Sequence, residues 1–161
     1  MDNFDKKLVL KEFLYEQFGA EKFEDFRNEL SEAEEGFQAD NRSEFSKKLK
    51  HSSDLEIKEY ILENLSEYDQ NIQEYEEKLN RNRDEDIRLK YFQWLSLLFT
   101  EVYLDLYFND QDKLWLEFSE FVEDKRSELD TDDLYSAAKD NLSKLAYWMA
   151  TGAGKTLIMH A

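Results

Sequence analysis

Apolar residues recur at intervals of three and four along most of the chain, which is the spacing of one face of an α-helix. The first such stretch runs from Asn3 to Phe18 and is followed by Gly19, a residue that readily takes the positive φ of a helix C-terminus. Between Ala20 and Lys50 the apolar positions are sparser, and Gly36 followed by a polar stretch predicts a break there. The first third of the chain is therefore predicted to form one well-delimited helix and two short ones.

Two long helices are predicted in the middle of the chain. The sequence from Ser53 to Glu56 fits a capping box and predicts the start of the first. Its apolar positions then follow a heptad seam, which favours lengthwise packing against another helix: Ile61, Leu65, Tyr68, Ile72, Tyr75 and Leu79. After the polar turn 81–86, residues 87–108 carry apolar side chains in nearly every direction around the axis. This second helix is predicted to be the antiparallel partner of the first and to be buried on most sides.

Two further helices are predicted before residue 144. Asn109 or Asp110 is the predicted cap of a helix that continues to about Leu129, with four residues facing inward: Leu114, Phe118, Phe121 and Val122. The sequence from Thr131 to Asp133 is the predicted cap of a last helix, which carries Leu134, Ala138, Leu142 and Leu145. The predicted fold class is all-α, a bundle of five to seven helices that occupies residues 1–143 as an acidic helical domain.

Composition excludes several kinds of chemistry. A chain of 161 residues has room for about one domain of ordinary size. It has no cysteine, so disulfides, thiol nucleophiles and cysteine metal sites are excluded, and His51 and His160 are its only histidines. The uncharged run 91–100 is about half as long as a membrane-spanning helix, and the amino terminus lacks an uncharged signal-peptide core. We expect a soluble, cytoplasmic protein with no membrane partner.

The charge balance bears on nucleic-acid binding. The net charge is −17, from 38 acidic and 21 basic residues, so we expect the helical body to be repelled by DNA. Two small basic clusters are candidates for phosphate contacts, although both lie among acidic residues: Lys47, Lys48 and Lys50, and Arg81, Arg83, Arg88 and Lys90.

Residues 144–161 differ from everything before them, since Lys144 and Lys155 are their only charged residues. The sequence from Ala150 to Thr156, ATGAGKT, predicts a phosphate-binding loop. In such a loop the glycines let the backbone turn sharply so that successive N–H groups point at phosphate oxygens, Lys155 meets the β- and γ-phosphates, and the Thr156 hydroxyl ligates Mg²⁺. The apolar run 145–149 before it predicts a buried parallel strand, and Leu157 onward predicts the helix that follows the loop.

The loop departs from the general motif at one position, because Met149 stands where the first glycine would fall. ATG-x-GKT preceded by Met resembles motif I of superfamily 2 helicases and translocases, most of all the restriction subunits of type I and type III systems. Residues 89–108, followed by LSKLAYWMATGAGKTLIMH, resemble the N-terminal region of DEAD/DEAH-box helicases of the type III restriction enzyme-like family. The resemblance covers the latter half of the chain and hardly touches the first half.

The resemblance implies a RecA-like ATPase domain that starts at residue 144, hydrolysis of ATP with Mg²⁺, movement on DNA, and a role in restriction or phage defence. It assigns Gly152, Gly154, Lys155 and Thr156 to nucleotide binding, with Ala153 contributing a backbone N–H. The acidic motif that holds Mg²⁺ and the arginine of motif VI follow motif I in this family. We therefore expect an N-terminal fragment of a motor, with no catalytic residue of its own, weak or absent nucleotide binding, and no ATPase activity. DNA contact through the motor domains and a partner subunit of a defence system are implied for the parent.

Two other interpretations stay open. A stand-alone acidic helical module that binds a basic protein surface, as DNA-mimicking inhibitors do, would explain the charge but not the intact loop motif. Another nucleoside triphosphatase with a phosphate-binding loop, such as a kinase, would normally keep the glycine that Met149 replaces.

Overall fold

A computed structural model describes residues 9–125, 142–143 and 154–159. These residues contain seven α-helices and no strand of a sheet, so the predicted all-α class is confirmed for the described part of the chain. The helices are α1 (Val9–Gln17), α2 (Phe23–Leu30), α3 (Glu44–Lys50), α4 (Glu59–Asn80), α5 (Tyr91–Asn109), α6 (Gln111–Lys125) and α7 (Lys155–Met159). The predicted strand 145–149 and the helix predicted from Thr131 lie outside the described residues, apart from Leu142, which is buried.

The first three helices follow the predicted pattern where the structure describes them, and the predicted start of the first at Asn3 lies outside the described residues. Gly19 ends α1 with a φ of +66°, the left-handed conformation predicted for it. The break between α2 and α3 lies where Gly36 was expected to place it, and Phe37 and Ser43 pair there in an isolated antiparallel bridge. The Ser43 side chain then caps α3 by accepting a hydrogen bond from the Ser46 backbone N–H at 3.0 Å.

The predicted start of α4 is wrong. The helix begins at Glu59, and Ser52 rather than Ser53 accepts the backbone N–H groups of Asp54 and Leu55. Residues 55–58 instead run against the end of α1: Leu55 is buried, and the Lys58 N–H donates to the Gln17 carbonyl at 3.0 Å. A Cβ added at Gly19 would lie 2.5 Å from the backbone nitrogen of Glu56. Tertiary contact with α1 therefore outweighs the local capping signal.

Helices α4 and α5 form the predicted antiparallel hairpin. Hydrogen bonds join Tyr68 to Asp105 and Asn71 to Glu101 between the helices, and Glu76 to the backbone of Leu89 just before α5. The partners thus come earlier in the chain as α4 advances, as an antiparallel pair requires. The seam residues Ile61, Leu65, Tyr68 and Ile72 are buried, as predicted, whereas Tyr75 and Leu79 are partly buried.

Helix α5 lies at the centre of the described structure, since it packs against α2, α4, α6 and α7. Its buried residues include Trp94, Leu98 and Val102, none of which is exposed to solvent. An aromatic cluster joins it to the first two helices through edge and tilted ring contacts: Tyr15, Phe18, Phe26 and Phe99. The predicted burial of α5 on most sides is confirmed.

Helix α6 closes the bundle against α1 and α5. Asp110 caps it, as predicted, by accepting a hydrogen bond from the Lys113 N–H at 3.2 Å. All four residues predicted to face inward, Leu114, Phe118, Phe121 and Val122, are buried. Among the helices that the structure describes, none is both long enough and apolar enough to cross a bilayer.

Candidate functional site

Two residues of α4 fix the place where α5 begins. The Asn80 side chain makes a pair of hydrogen bonds with the backbone of Ile87, donating to its carbonyl at 2.9 Å and accepting its N–H at 2.8 Å. One turn earlier, the Glu76 carboxylate accepts the N–H of the buried Leu89 at 2.8 Å. These contacts hold the segment that leads into α5 and set the direction of its first turn.

A buried carboxylate anchors the same end of α5 from the side. Asp69 of α4 accepts three hydrogen bonds: from the Ser43 N–H at 2.9 Å, the Ser43 hydroxyl at 2.6 Å and the Trp94 indole N–H at 2.9 Å. Burial raises the pKa of Asp69, whereas the hydrogen bonds favour its charged form. One side chain thereby ties the cap of α3 and the first turn of α5 to α4.

Gln93 lies in that first turn of α5 and is nearly buried. Its side-chain oxygen accepts the backbone N–H of Lys90, the residue that precedes the helix, at 3.0 Å. This is the reciprocal half of a helix cap, and it satisfies a backbone donor that the helix itself leaves unpaired.

The amide nitrogen of Gln93 meets Gly154 of the predicted phosphate-binding loop. A Cβ built on Gly154 would lie 2.5 Å from the Gln93 Nε2 atom and 3.8 Å from the Leu157 Cβ atom. Gly154 also has a φ of +88°, which side chains disfavour. The backbone conformation therefore favours glycine at this position, and any side chain there would displace the Gln93 amide.

Helix α7 starts directly after Gly154 and packs on α5. The Ile158 N–H donates to the Gly154 carbonyl at 3.1 Å, and the Ile158 side chain is buried in the core with 5% of its surface exposed. Lys155 is partly buried and Thr156 is exposed. The side of α7 that carries Ile158 thus faces the bundle, while Thr156 and Met159 face solvent.

Of the five residues predicted to bind nucleotide, the structure describes three: Gly154, Lys155 and Thr156. They are consecutive at the start of α7, beside the amino-terminal end of α5. Gly152 and Ala153 lie outside the described residues. In the described ranges, no group of three or more histidine, aspartate or glutamate side chains is placed to hold a metal ion.

One residue of each basic cluster contacts an acidic or backbone group, Lys47 in the first and Arg83 in the second. Lys47 contacts Asp40 at 3.1 Å and Glu44 at 3.0 Å, and these hydrogen bonds raise the pKa of Lys47. Arg83 donates to the Leu79 carbonyl at 2.9 Å, and the Arg88 side chain packs over Gly36. Lys90 precedes α5 as its N-cap residue.

A shallow groove lies between α1 and α6. Four acidic side chains and Lys58 are among the residues that line it: Glu16, Glu117, Glu120 and Asp124. The Lys58 ammonium lies 3.4 Å from the Glu117 carboxylate. The groove adds a local acidic surface to the overall negative charge of the chain.

Two more carboxylates lie between α4 and α5. Glu101 accepts hydrogen bonds from Asn71 at 2.6 Å and Tyr75 at 2.7 Å, and Asp105 accepts one from the Tyr68 hydroxyl at 2.5 Å. Burial, followed by the hydrogen bond to Asp105, raises the pKa of Tyr68. In the described part of the chain no buried side-chain nitrogen or oxygen lacks a hydrogen-bond partner. Glu101 and Asp105 therefore join α4 to α5, and their hydrogen bonds are made within the hairpin.

Gln93 is the residue of this site that sequence reasoning missed, because residues 89–108 were interpreted as bundle core. One signal was present: a glutamine at the third position of a helix is the residue type that caps backwards to the preceding backbone N–H. Nothing in the sequence indicated that its other end would meet a glycine of the loop motif.

No family model matches this chain, and no curated protein or solved structure matches it either. The function of this chain is therefore inferred from its residues and their geometry.

Proposed function

We propose that the chain is the amino-terminal part of an ATP-dependent DNA helicase or translocase, of the kind used in restriction or phage defence. In this proposal residues 144–161 begin a RecA-like ATPase domain. Gly152, Ala153, Gly154, Lys155 and Thr156 bind the phosphates of ATP, and Thr156 ligates Mg²⁺. The helical domain supports the loop, and DNA and a partner subunit are contacted by other parts of the parent protein.

One observation carries the proposal: the sequence ATGAGKT is intact in a chain that has only four glycines. A run of this form is rare by chance, and each of its residue types has a role in holding phosphate and Mg²⁺. The described end of the motif is compatible with that use, since Gly154 has a positive φ and a helix begins at Lys155. A phosphate-binding loop needs the same succession of a turning glycine and a helix.

The first experiment is to read the source gene past the codon for Ala161 in the same frame. We expect several hundred further codons that include a D-E-x-[HD] box and a downstream arginine-bearing motif. A stop codon directly after Ala161 in an expressed gene would overturn the proposal.

The second experiment measures ATP hydrolysis by the product of the extended frame, with and without duplex DNA. Lys155→Ala is expected to reduce kcat by at least about a hundredfold, because the cation that stabilises the transferring phosphoryl charge is lost. Lys78→Ala is the matched control, since Lys78 is an exposed lysine of α4 that contacts the Tyr75 ring. Equal activity in wild type and the Lys155→Ala variant would contradict the assignment of the loop.

A second candidate function is an acidic module that binds a basic protein surface. The net charge of −17 and the acidic groove between α1 and α6 favour it. Its test is binding of the 161-residue chain to a basic DNA-binding protein, with duplex DNA as competitor. Glu120→Lys and Asp124→Lys together are expected to weaken such binding, and an unchanged affinity would exclude the groove as the contact surface.

A further inference from the structure

We propose that Gln93 is a positioning residue for the phosphate-binding loop: its side chain, fixed at the start of α5, sets the backbone of the loop at Gly154. The inference rests on the proposed function for the meaning of the loop. The physical contact itself is tested without nucleotide.

The first step of the argument is that Gln93 has little freedom to move. Its side chain is nearly buried, its oxygen accepts the Lys90 N–H, and the next residue, Trp94, is fully buried and bound to Asp69. A side chain held at its backbone and at its terminal oxygen presents its amide nitrogen in one direction. Gln93 is therefore a rigid element against which a neighbouring chain can be positioned.

The second step is that Gly154 is shaped to fit this element. The space where a Cβ would stand is occupied by the Gln93 amide, 2.5 Å away. A real Cβ does not approach a nitrogen that closely, so one of the two groups would have to move. Gly154 accordingly permits contact with the helical domain, in addition to any role of its N–H toward phosphate.

The third step is that α5 also holds the chain that follows the loop. Ile158 is buried against the core, and its N–H donates to the Gly154 carbonyl at 3.1 Å. Farther along α5, the Tyr103 hydroxyl donates to the Leu142 carbonyl at 2.5 Å. One helix thus contacts the chain both before and after the loop, and Gln93 supplies its contact at the loop.

The experiment measures amide hydrogen exchange of the 161-residue chain, without nucleotide. The Ile158 N–H reports the loop end because its acceptor is the Gly154 carbonyl, and the amide of Ile72 in α4 reports the bundle. Gln93→Ala is expected to raise exchange at Ile158 by about tenfold or more, and by at least about threefold more than at Ile72, where loss of the Lys90 contact also raises exchange. The matched control is Gln73→Ala, a glutamine of α4 that binds Glu77, which is expected to change neither rate.

A double-mutant cycle separates the contact from a general loss of structure. Gly154→Ala alone is expected to raise exchange at Ile158, since the new methyl group meets the Gln93 amide. In the Gln93→Ala background the same change is expected to have a smaller effect, because the obstructing amide is gone and only the positive φ remains unfavourable. Additive effects of the two changes, or unchanged exchange at Ile158 in Gln93→Ala, would overturn the inference.

Failure of the proposed function is distinguishable from failure of this inference. A stop codon after Ala161 would contradict the proposed function, and so would an ATPase that tolerates Lys155→Ala. Neither result would change the hydrogen-exchange rates expected for the contact between Gln93 and Gly154. Where the extended product hydrolyses ATP, Gln93→Ala is expected to raise the KM for ATP more than it lowers kcat, because a misplaced loop binds phosphate poorly. An unchanged KM there would show that Gln93 does not position the loop for its ligand.

Discussion

Helix α4 and the segment from Gly154 to Met159 are both attached to α5, but by different means. Between α4 and α5, buried apolar seams alternate with hydrogen bonds that cross between elements and are accepted by Asp69, Glu76, Asn80 and Glu101. The segment after the loop is attached through the buried Ile158 and the close contact of Gly154 with Gln93.

The difference concerns how each region is stabilised. Removing a partner from a buried polar cluster leaves desolvated groups unpaired, so the hairpin is sensitive to single polar substitutions. A helix of five residues has too few hydrogen bonds to be stable without packing. The stability of the segment from Gly154 to Met159 therefore depends on packing against α5, whereas α5 is stabilised mainly by other helices. Substitutions in the two regions should differ in their effect on global unfolding.

The largest effect is expected from Asp69→Ala. The change deprives three donors of their acceptor in a buried site and should lower the free energy of unfolding by about 3–5 kcal/mol. Denaturant titration followed by circular dichroism measures it. Glu67→Ala, on the exposed side of the same helix, is the control and should shift stability by less than about 0.5 kcal/mol. Equal effects of the two changes would mean that the cluster does not stabilise the hairpin.

Trp94→Phe should have the next largest effect. It removes the indole N–H that binds Asp69 and part of a fully buried ring, at a cost of about 2 kcal/mol. Asp69 keeps both contacts with Ser43, so the loss should be smaller than for Asp69→Ala. Thermal unfolding compares the two variants, and a reversed order would argue against Asp69 as the centre of the cluster.

Glu76→Gln should have an effect of the opposite sign. Burial raises the pKa of Glu76, so the folded state binds a proton more readily than the unfolded state, and ionisation at neutral pH disfavours folding. A glutamine whose side-chain oxygen takes the Leu89 N–H avoids that cost and should raise stability at pH 7.

The pH dependence checks this explanation. The contribution of a carboxyl group with a raised pKa is most favourable below its ordinary pKa and is lost as pH rises through the folded value. The advantage of Glu76→Gln should therefore disappear as pH falls toward 4, as seen in melting temperatures across that range. Glu77→Gln, at an exposed neighbour, should show a smaller change. A gain that is constant with pH would have another cause.

Ile158→Ala is expected to have the smallest effect on global unfolding, under about 0.5 kcal/mol, because the short segment can open without the bundle. Its local effect should be much larger, with faster hydrogen exchange at the amides of α7. A shift of the denaturant midpoint as large as that of Trp94→Phe would contradict this expectation. The segment from Gly154 to Met159 would then unfold together with the bundle.

More of the helical bundle than of the candidate site could be predicted from the sequence. Apolar spacing predicted the helical class, the antiparallel α4–α5 pair and the inward face of α6, because each depends on residues three and four positions apart. The start of α4 was predicted wrongly, since Ser53 and Glu56 form a plausible local cap but the chain there is held by Gln17 at the end of α1 and by Gly19 just after it. Local patterns do not encode which distant segment competes for a backbone group.

The sequence by itself determined that the described part of the chain folds as helices, and its ATGAGKT run predicts a phosphate-binding loop, because periodicity and short motifs are written in neighbouring residues. Only the tertiary structure decided that Asp69 joins three helices and that Gln93 meets Gly154. Both contacts join residues far apart in sequence, and they form only because packing of the apolar faces brings them within hydrogen-bonding or van der Waals distance. The packing of the apolar faces thus determines which polar groups come into contact. The contact between Gln93 and Gly154 joins the helical bundle to the end of the predicted loop.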